Sequence, residues 1–422
     1  MNKYKIIITS IVLLITVPTV AQIVDVKEKV KNEMGNRTES KVDEGINKGL
    51  DKIEKGIGRL FKKKKKVVKD ESTENNKTNI DRDDSTSSIS LKGFTKYDFV
   101  PGDRILYFED FSQNPIGEFP ILWTTNGGGE VKTVNIAPGH WFHMNKEDAV
   151  YCCTKKISFP ENYIMEFDII PDGDFSGGYT LTFYQEKDNI EMNDELYPGE
   201  KGLHISFDEN HWETKGYDNS LDVGGWIEGK STTNPVVLKQ VNHVIIWVQN
   251  RRLRIYHLGT KVFDMPTNIH VGTKFNRFRF SGWSSYGTPY VTNLKITTAA
   301  PDTRSKLITE GKLVSYGIYF DVNKDILKSE SYGTTSDIAK VLKENPTVNI
   351  KIIGHTDSDG NDAQNLDLSK RRAASVKNTL VTQFGIDGNR IQTDGKGETE
   401  PMVPNTTSEN KAKNRRVEFI KL

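Results

Sequence analysis

Two charged residues near the C-terminal end stand where a ligand clamp would need them. Asp357 follows the alternating apolar run Val348, Ile350 and Ile352, in a loop that opens at Gly354. Arg372 follows Ser369, a good helix cap, and is therefore expected in the first turn of a helix. The positive end of the helix macrodipole disfavours a cation there. A cation in that place makes sense if an anion is to be held. With a carboxylate opposite, the pair suits a short side chain bearing both an ammonium and a carboxylate. Asp357 would pair the ammonium, and Arg372 with the helix N-terminus would clamp the carboxylate through a two-pronged bond. The plainer alternative is that Asp357 and Arg372 pair with each other.

The elements that must position this pair can be read from the spacing of apolar residues. Ile318 and Phe320 alternate in a first strand. Residues 331–344 are helical, with Ile338, Val341 and Leu342 inward and Pro346 as the stop. A second strand carries Val348, Ile350 and Ile352. A second helix from Ser369 puts Ala373, Val376, Leu380 and Phe384 on one face. Val417 and Phe419 form a final strand. The expected result is an α/β domain with helices on one face of a mixed sheet.

Three strings recur here in fixed order. They are Gly354-His355-Thr356-Asp357, the run from Asn365 through Leu368 to Arg372-Ala373, and Asn414-Arg415-Arg416-Val417-Glu418, with Tyr319-Phe320-Asp321 upstream. Together they resemble the OmpA-like peptidoglycan-binding domain over about residues 312–422. The resemblance implies non-covalent binding of the diaminopimelate in the peptidoglycan stem peptide. It assigns the ammonium to Asp357 and the carboxylate to Arg372. It also implies that Phe320, Asp321, Thr356, Asn365, Leu368 and Arg416 line the pocket, and that no cofactor is needed.

Residues 101–300 follow a different pattern. Short runs such as 164–170, 179–184, 203–207, 244–248, 253–256, 275–280 and 290–296 read as strands separated by Gly, Asn, Asp and Pro. No helix-length segment intervenes, so an antiparallel β-sandwich or jelly roll is expected. The stretch 243–266 resembles the late strands of concanavalin A-like and laminin G-like sandwiches. All six tryptophans fall in this domain. Trp247 belongs to an apolar strand and to the core. Trp212, Trp226 and Trp283 neighbour Gly, Asn and Ser in expected loops, and are candidates for stacking on a glycan. Glu166 and Asp168 share a strand face as the carboxylates of a glycan hydrolase would, but Ile170 and Pro171 occupy the place of the third acid. A solvated strand face is the expected reading, and the chain is expected not to be an enzyme. Asp357-Ser358-Asp359-Gly360 resembles a calcium loop only superficially, because the glycine comes fourth rather than sixth and no Glu closes the loop at position twelve. Asp172-Gly173-Asp174 is a rim-calcium candidate only by analogy, and no metal site is assigned.

The first hundred residues set the compartment. Lys3 and Lys5, the apolar run 6–17 and Thr19-Val20-Ala21 read as a signal peptide over 1–21. Residues 22–69 hold 15 Lys and Arg against 8 Asp and Glu, a net of +7. Over 22–66, Val42, Ile46, Leu50, Ile53, Ile57 and Leu60 form one face of a basic amphipathic helix, although four glycines weaken it. Such a helix suits a membrane surface or a partner helix. Residues 67–100 read as a disordered linker. The whole-chain net charge of +1 gives no overall pull toward nucleic acid. The adjacent Cys152 and Cys153 point to opposite strand faces and read as small packing residues. The expected protein is periplasmic, bound to the cell wall and associated with the outer membrane. It carries a sandwich (101–300) that binds a glycan or an envelope protein, followed by the wall-binding domain (305–422). The alternatives are a small outer-membrane barrel over 101–300 and a glycan hydrolase using the sandwich.

Overall fold

Alternation of apolar and polar residues, repeated strand after strand, builds the first part of the fold. The structure is a computed structural model that describes residues 99–299 and 305–422, apart from 174, 176, 222–224 and 283–286. The expected leader, the basic helix and all of the linker except its last two residues lie outside the described residues, as does Trp283.

The strands are β1 (Pro101–Glu109), β2 (Trp123–Thr125), β3 (Glu130–Lys132), β4 (Trp141–His143), β5 (Val150–Cys153), β6 (Asn162–Ile170), β7 (Tyr179–Gln185) and β8 (Lys201–Phe207). There follow β9 (Trp212–Asp218), β10 (Ile227–Ser231), β11 (Asn242–Gln249), β12 (Arg252–His257), β13 (Thr260–Met265), β14 (Arg277–Ser281) and β15 (Tyr290–Ala299). One sheet runs β13-β12-β11-β6-β15-β4-β3, with β1 also beside β15; the other runs β10-β9-β8-β7-β14-β5-β2. The two face each other across one apolar core. Met165, Phe167 and Ile169 enter it from β6, Val244, Ile246 and Val248 from β11, and Leu181, Phe183, Phe278 and Phe280 from the opposite sheet. This is a sandwich of two open sheets and not a closed barrel, since neither sheet's end strands pair with each other and the two faces enclose one apolar core. Cys152 and Cys153 are free and buried in β5.

The run 244–248 is apolar on both faces because both faces are covered. Its odd-numbered companions Ile245 and Trp247 join Ile164, Tyr256 and Phe99 in a second cluster on the outside of the sheet. Tyr319 and Tyr332 of the C-terminal domain pack on that cluster. Phe99, placed by sequence in the linker, is fully buried at this seam.

The C-terminal domain comprises β16 (Lys312–Ser315), α1 (Tyr332–Glu344), β17 (Ile350–His355), α2 (Asp362–Thr382), β18 (Ile391–Gly397), α3 (Ser408–Asn414) and β19 (Val417–Lys421). Its sheet order is β16-β19-β17-β18, with β17 and β18 parallel and the other pairs antiparallel, so the sheet is mixed. Ile338 and Leu342 of α1, and Ala373, Val376 and Leu380 of α2, share one core with Ile350, Ile352 and Phe419.

Two sequence expectations are corrected here. The first strand is 312–315; Phe320 makes only an isolated bridge to Leu327. The second helix begins at Asp362, capped by Asn361, whose side chain accepts from the amides of Ala363 and Gln364. Ser369 is therefore mid-helix, and it lies against the sheet: a Cβ at Gly354 would collide with the Ser369 backbone. Gly354→Ala is expected to destabilise the chain by about 1–3 kcal/mol through overpacking. The readout is a lowered Tm, with Gly388→Ala as a comparison, since a Cβ at that position would meet only ordinary van der Waals contacts, the nearest at 3.5 Å from Val381.

Candidate functional site

The site begins where β17 ends. His355, Thr356 and Asp357 are buried at the C-terminal end of that strand, and the following loop returns into α2. Asn365, in the first turn of α2, holds this loop in shape. Its Nδ2 donates to the carbonyls of Asp359 (3.0 Å) and Asp357 (3.4 Å) and to the Glu398 carboxylate (2.7 Å). The Asp357 carboxylate accepts from the Asp359 amide at 3.1 Å and from Arg415 Nη1 at 2.5 Å.

Arg372 lies in the third turn of α2, not the first, so the helix terminus plays no part in aiming it. The backbone does that work. Its Nε donates to the Lys324 carbonyl (2.9 Å), its Nη2 donates to the Asp321 carbonyl (3.3 Å), and its guanidinium stacks 4.8 Å from the Phe320 ring centre. Burial pulls its pKa down to about 10; Asp357 opposes that shift, and the neighbouring Arg371 and Arg415 add to it. The cost of holding these cations together is a standing demand for an anion.

Asp357, Arg372, Phe320, Asp321, Thr356, Asn365, Leu368 and Arg416 all line one cavity of about 470 Å³. Their roles within it differ. Asp321 touches Arg372 through its carbonyl, while its exposed carboxylate pairs with Lys324 at 3.0 Å. Thr356 contributes a buried hydroxyl that has no hydrogen-bond partner among the described residues. Arg416 is a strut, because its guanidinium is spent on Glu418 (2.8 Å) and on the carbonyls of Asn414 and Glu400. The arginine that reaches Asp357 is Arg415, which sequence reasoning missed. The signal was present: Arg416 and Glu418 are two apart, hence on one side of an extended segment, which marks Arg416 as engaged.

The sandwich candidates separate. Trp212 is not in a loop but in β9, fully buried, with its Nε1 donating to the Asn234 carbonyl at 3.2 Å. The alternation Trp212, Thr214, Gly216 points inward, and the polar residues between them disguised it. Trp226 is 41% exposed, beside Tyr197 (ring centres 4.5 Å apart) and under Lys215 Nζ at 4.2 Å. Glu166 is buried and Asp168 is partly buried, so the pair is not a freely solvated face. Glu166 is 2% exposed; it accepts from Tyr319 Oη at 2.9 Å and pairs with Lys295 Nζ at 3.0 Å. Asp168 pairs with His243 Nδ1 at 2.6 Å and accepts from Asn293 Nδ2 at 2.7 Å. A hydrolase needs its acids in an open cleft. These two lie under the C-terminal domain.

The OmpA family model matches residues 319–415. The chain is 40% identical over 111 residues to outer membrane porin F of Pseudomonas aeruginosa, which covers 26% of this chain and 32% of that protein. It is 46% identical over 101 residues to outer membrane protein A of Bordetella avium, covering 24% of this chain and 52% of the relative. The chain thus spans between about a third and about a half of the length of these relatives. The crystal structure of the peptidoglycan-associated lipoprotein from Burkholderia pseudomallei aligns at 22% identity and a TM-score of 0.25, covering 29% of this chain and 98% of that one, a likeness too partial to carry an argument. The first two motif strings and the parallel strands β17 and β18 lie within the matched stretch, the third string overlaps its end, and residues 319–415 are an OmpA-family domain.

Proposed function

We propose that this chain binds peptidoglycan without covalent attachment, through the diaminopimelate of the stem peptide, and that it acts as a non-enzymatic envelope protein. The observation that carries this reading is the meeting of Asp357, Arg372 and the unpartnered Thr356 hydroxyl in one cavity of an OmpA-family domain. A carboxylate that accepts from one arginine and one backbone amide has capacity left for a ligand ammonium. A guanidinium fixed by two backbone carbonyls keeps further N–H groups for a ligand carboxylate. Relatives described as outer membrane proteins support a place in the periplasm, associated with the outer membrane. Trp226 is the surviving candidate for a glycan or envelope-protein contact on the sandwich. The basic stretch 22–66 is the candidate for a membrane surface or a partner helix.

The test is competition. Full-length protein is expected to sediment with purified sacculi that contain diaminopimelate, and free meso-diaminopimelate is expected to release it where lysine is not. Equal release by both amino acids, or no sedimentation, would sink the reading.

A further inference from the structure

The cavity that holds the motif residues has a second wall, and the sandwich makes it. Phe108 and Asp110 stand at the end of β1, and Asn293 and Lys295 on β15; all four line the same cavity as Asp357 and Arg372. None of the four falls within the OmpA-family stretch of 319–415. This wall is fixed in place by contacts on two sides. On one side Ser112 Oγ meets Ser408 Oγ at 3.1 Å, and Lys155 Nζ pairs with Glu409 at 2.5 Å. On the other, Lys295 pairs with Glu166 and lies 4.5 Å over the Tyr319 ring, while Tyr319 donates to Glu166. Phe108 also lies 5.2 Å from the Arg415 guanidinium, the group that holds Asp357.

The size and chemistry of the wall point to more ligand than one side-chain end. A cavity of about 470 Å³ lies in the range that takes whole small ligands, about 300–1,000 Å³. Asn293 spends its amide N–H on Asp168, and its side-chain oxygen has no partner among the described residues. Asp110 uses Oδ1 on the amide and hydroxyl of Ser112, and its Oδ2 has none among the described residues. Two acceptors beside the aromatic face of Phe108 match a peptide, whose backbone N–H groups need acceptors and whose short side chains need apolar cover.

We propose that the sandwich is half of the binding site, reading the stem-peptide backbone next to the diaminopimelate, so that the chain selects a stem peptide over the free amino acid. This rests on the peptidoglycan reading and adds to it a discrimination made by residues outside the OmpA-family stretch. Asp110 and Asn293 are the specificity-determining residues. Phe108 is a positioning residue as well, because it backs Arg415.

The experiment is calorimetry on the full-length chain with two probes, free meso-diaminopimelate and a purified disaccharide-tetrapeptide containing it. The unmodified chain is expected to bind the disaccharide-tetrapeptide about tenfold or more tightly than the amino acid, as one or two added hydrogen bonds would give. Asp110→Asn keeps the Ser112 contacts, and Asn293→Gly suits the left-handed backbone at that residue, where φ is 53°. Both variants are expected to lose that preference and to bind the free amino acid unchanged. Phe108→Leu is expected to weaken both probes, since it loosens Arg415. Equal affinity of the unmodified chain for the two probes would overturn the proposal while leaving the peptidoglycan reading intact. So would a loss in Asp110→Asn and Asn293→Gly that falls equally on both probes, because the wall would then only shape the site. Failure of the unmodified chain to bind either probe would overturn both readings.

Discussion

Asp357→Ala and Arg372→Ala are each expected to abolish co-sedimentation with sacculi while leaving the fold intact. Each removes one partner from an opposite-charge contact in a cavity where Asp357 is buried and Arg372 partly buried. Truncating one side of such a pair costs about 2–5 kcal/mol, or roughly thirtyfold to several-thousandfold in affinity. The geometry separates the two variants further. Arg372 is aimed by two backbone carbonyls and the Phe320 ring, so Arg372→Lys keeps the charge but loses the fork and the stacking, and should recover little. Asp357 is held by Arg415, so Arg415→Ala should weaken binding by a smaller amount, through a carboxylate that has lost its brace. Circular dichroism of each variant checks that folding is preserved. If both alanine variants pellet like the parent, the cavity has been assigned the wrong ligand.

The second large effect is on stability and lies at the seam. Glu166→Ala is expected to destabilise the chain by about 3–5 kcal/mol, because it leaves Lys295 and the Tyr319 hydroxyl facing a hole in a mostly buried cluster. Glu166→Gln keeps an acceptor for Tyr319 and should cost less. Urea denaturation of the two variants measures the difference, and midpoints unchanged from the parent would show that the seam carries no load. The neighbouring Asp168–His243 pair adds a pH dependence. Burial alone would push Asp168 up and His243 down, but their mutual attraction and hydrogen bond outweigh it. Asp168 therefore lies below its ordinary 3.8 and His243 above its ordinary 6.5. The Asp168 contribution is present above pH 3.8 and lost as pH falls through its lowered value. The His243 contribution is present below pH 6.5 and lost as pH rises through its raised value. Stability from this pair should be flat between those limits and should decline on either side. Asp168→Asn should remove the alkaline decline, which urea midpoints at acid and alkaline pH will reveal. Glu166, Glu330, Lys328 and Lys295 surround the pair and are unchanged in that variant.

Much of this was readable from spacing alone. The alternations Ile350/Ile352 and Val417/Phe419 are strands that enter one core, and the helix expected over 331–344 starts one residue later, at Tyr332. The sandwich was readable from strands such as 164–170, because one face of each had to be apolar. What failed shares a physical cause. A strand whose second face carries Glu166 and Asp168 looks wet until another domain is laid on it, and no local pattern reports that. The β18 strand, with Gln392, Thr393, Asp394 and two glycines, shows no apolar run; Gly395 and Gly397 are there because the backbone of α2 passes too close for a Cβ. The start of α2 was missed because Asn361 and Asp362 sit in a polar loop-like string whose capping role is visible only once the bonds are drawn. The site residues were named from motif positions, but Arg372 is aimed by backbone carbonyls and not by a helix terminus; Arg415 stands in the motif string yet was given no role, and Phe108, Asp110, Asn293 and Lys295 lie outside the motif.

The apolar cluster on the outer face of the larger sheet bears on how such a chain can change over evolutionary time. Here Ile164, Ile245, Trp247 and Tyr256 have Tyr319 and Tyr332 as their cover. A recombination event that replaced the C-terminal cassette with a homologue lacking those two tyrosines would bare that patch to water and favour clumping over folding. Substitutions on one side of the seam are thus constrained by the residues packed on it from the other.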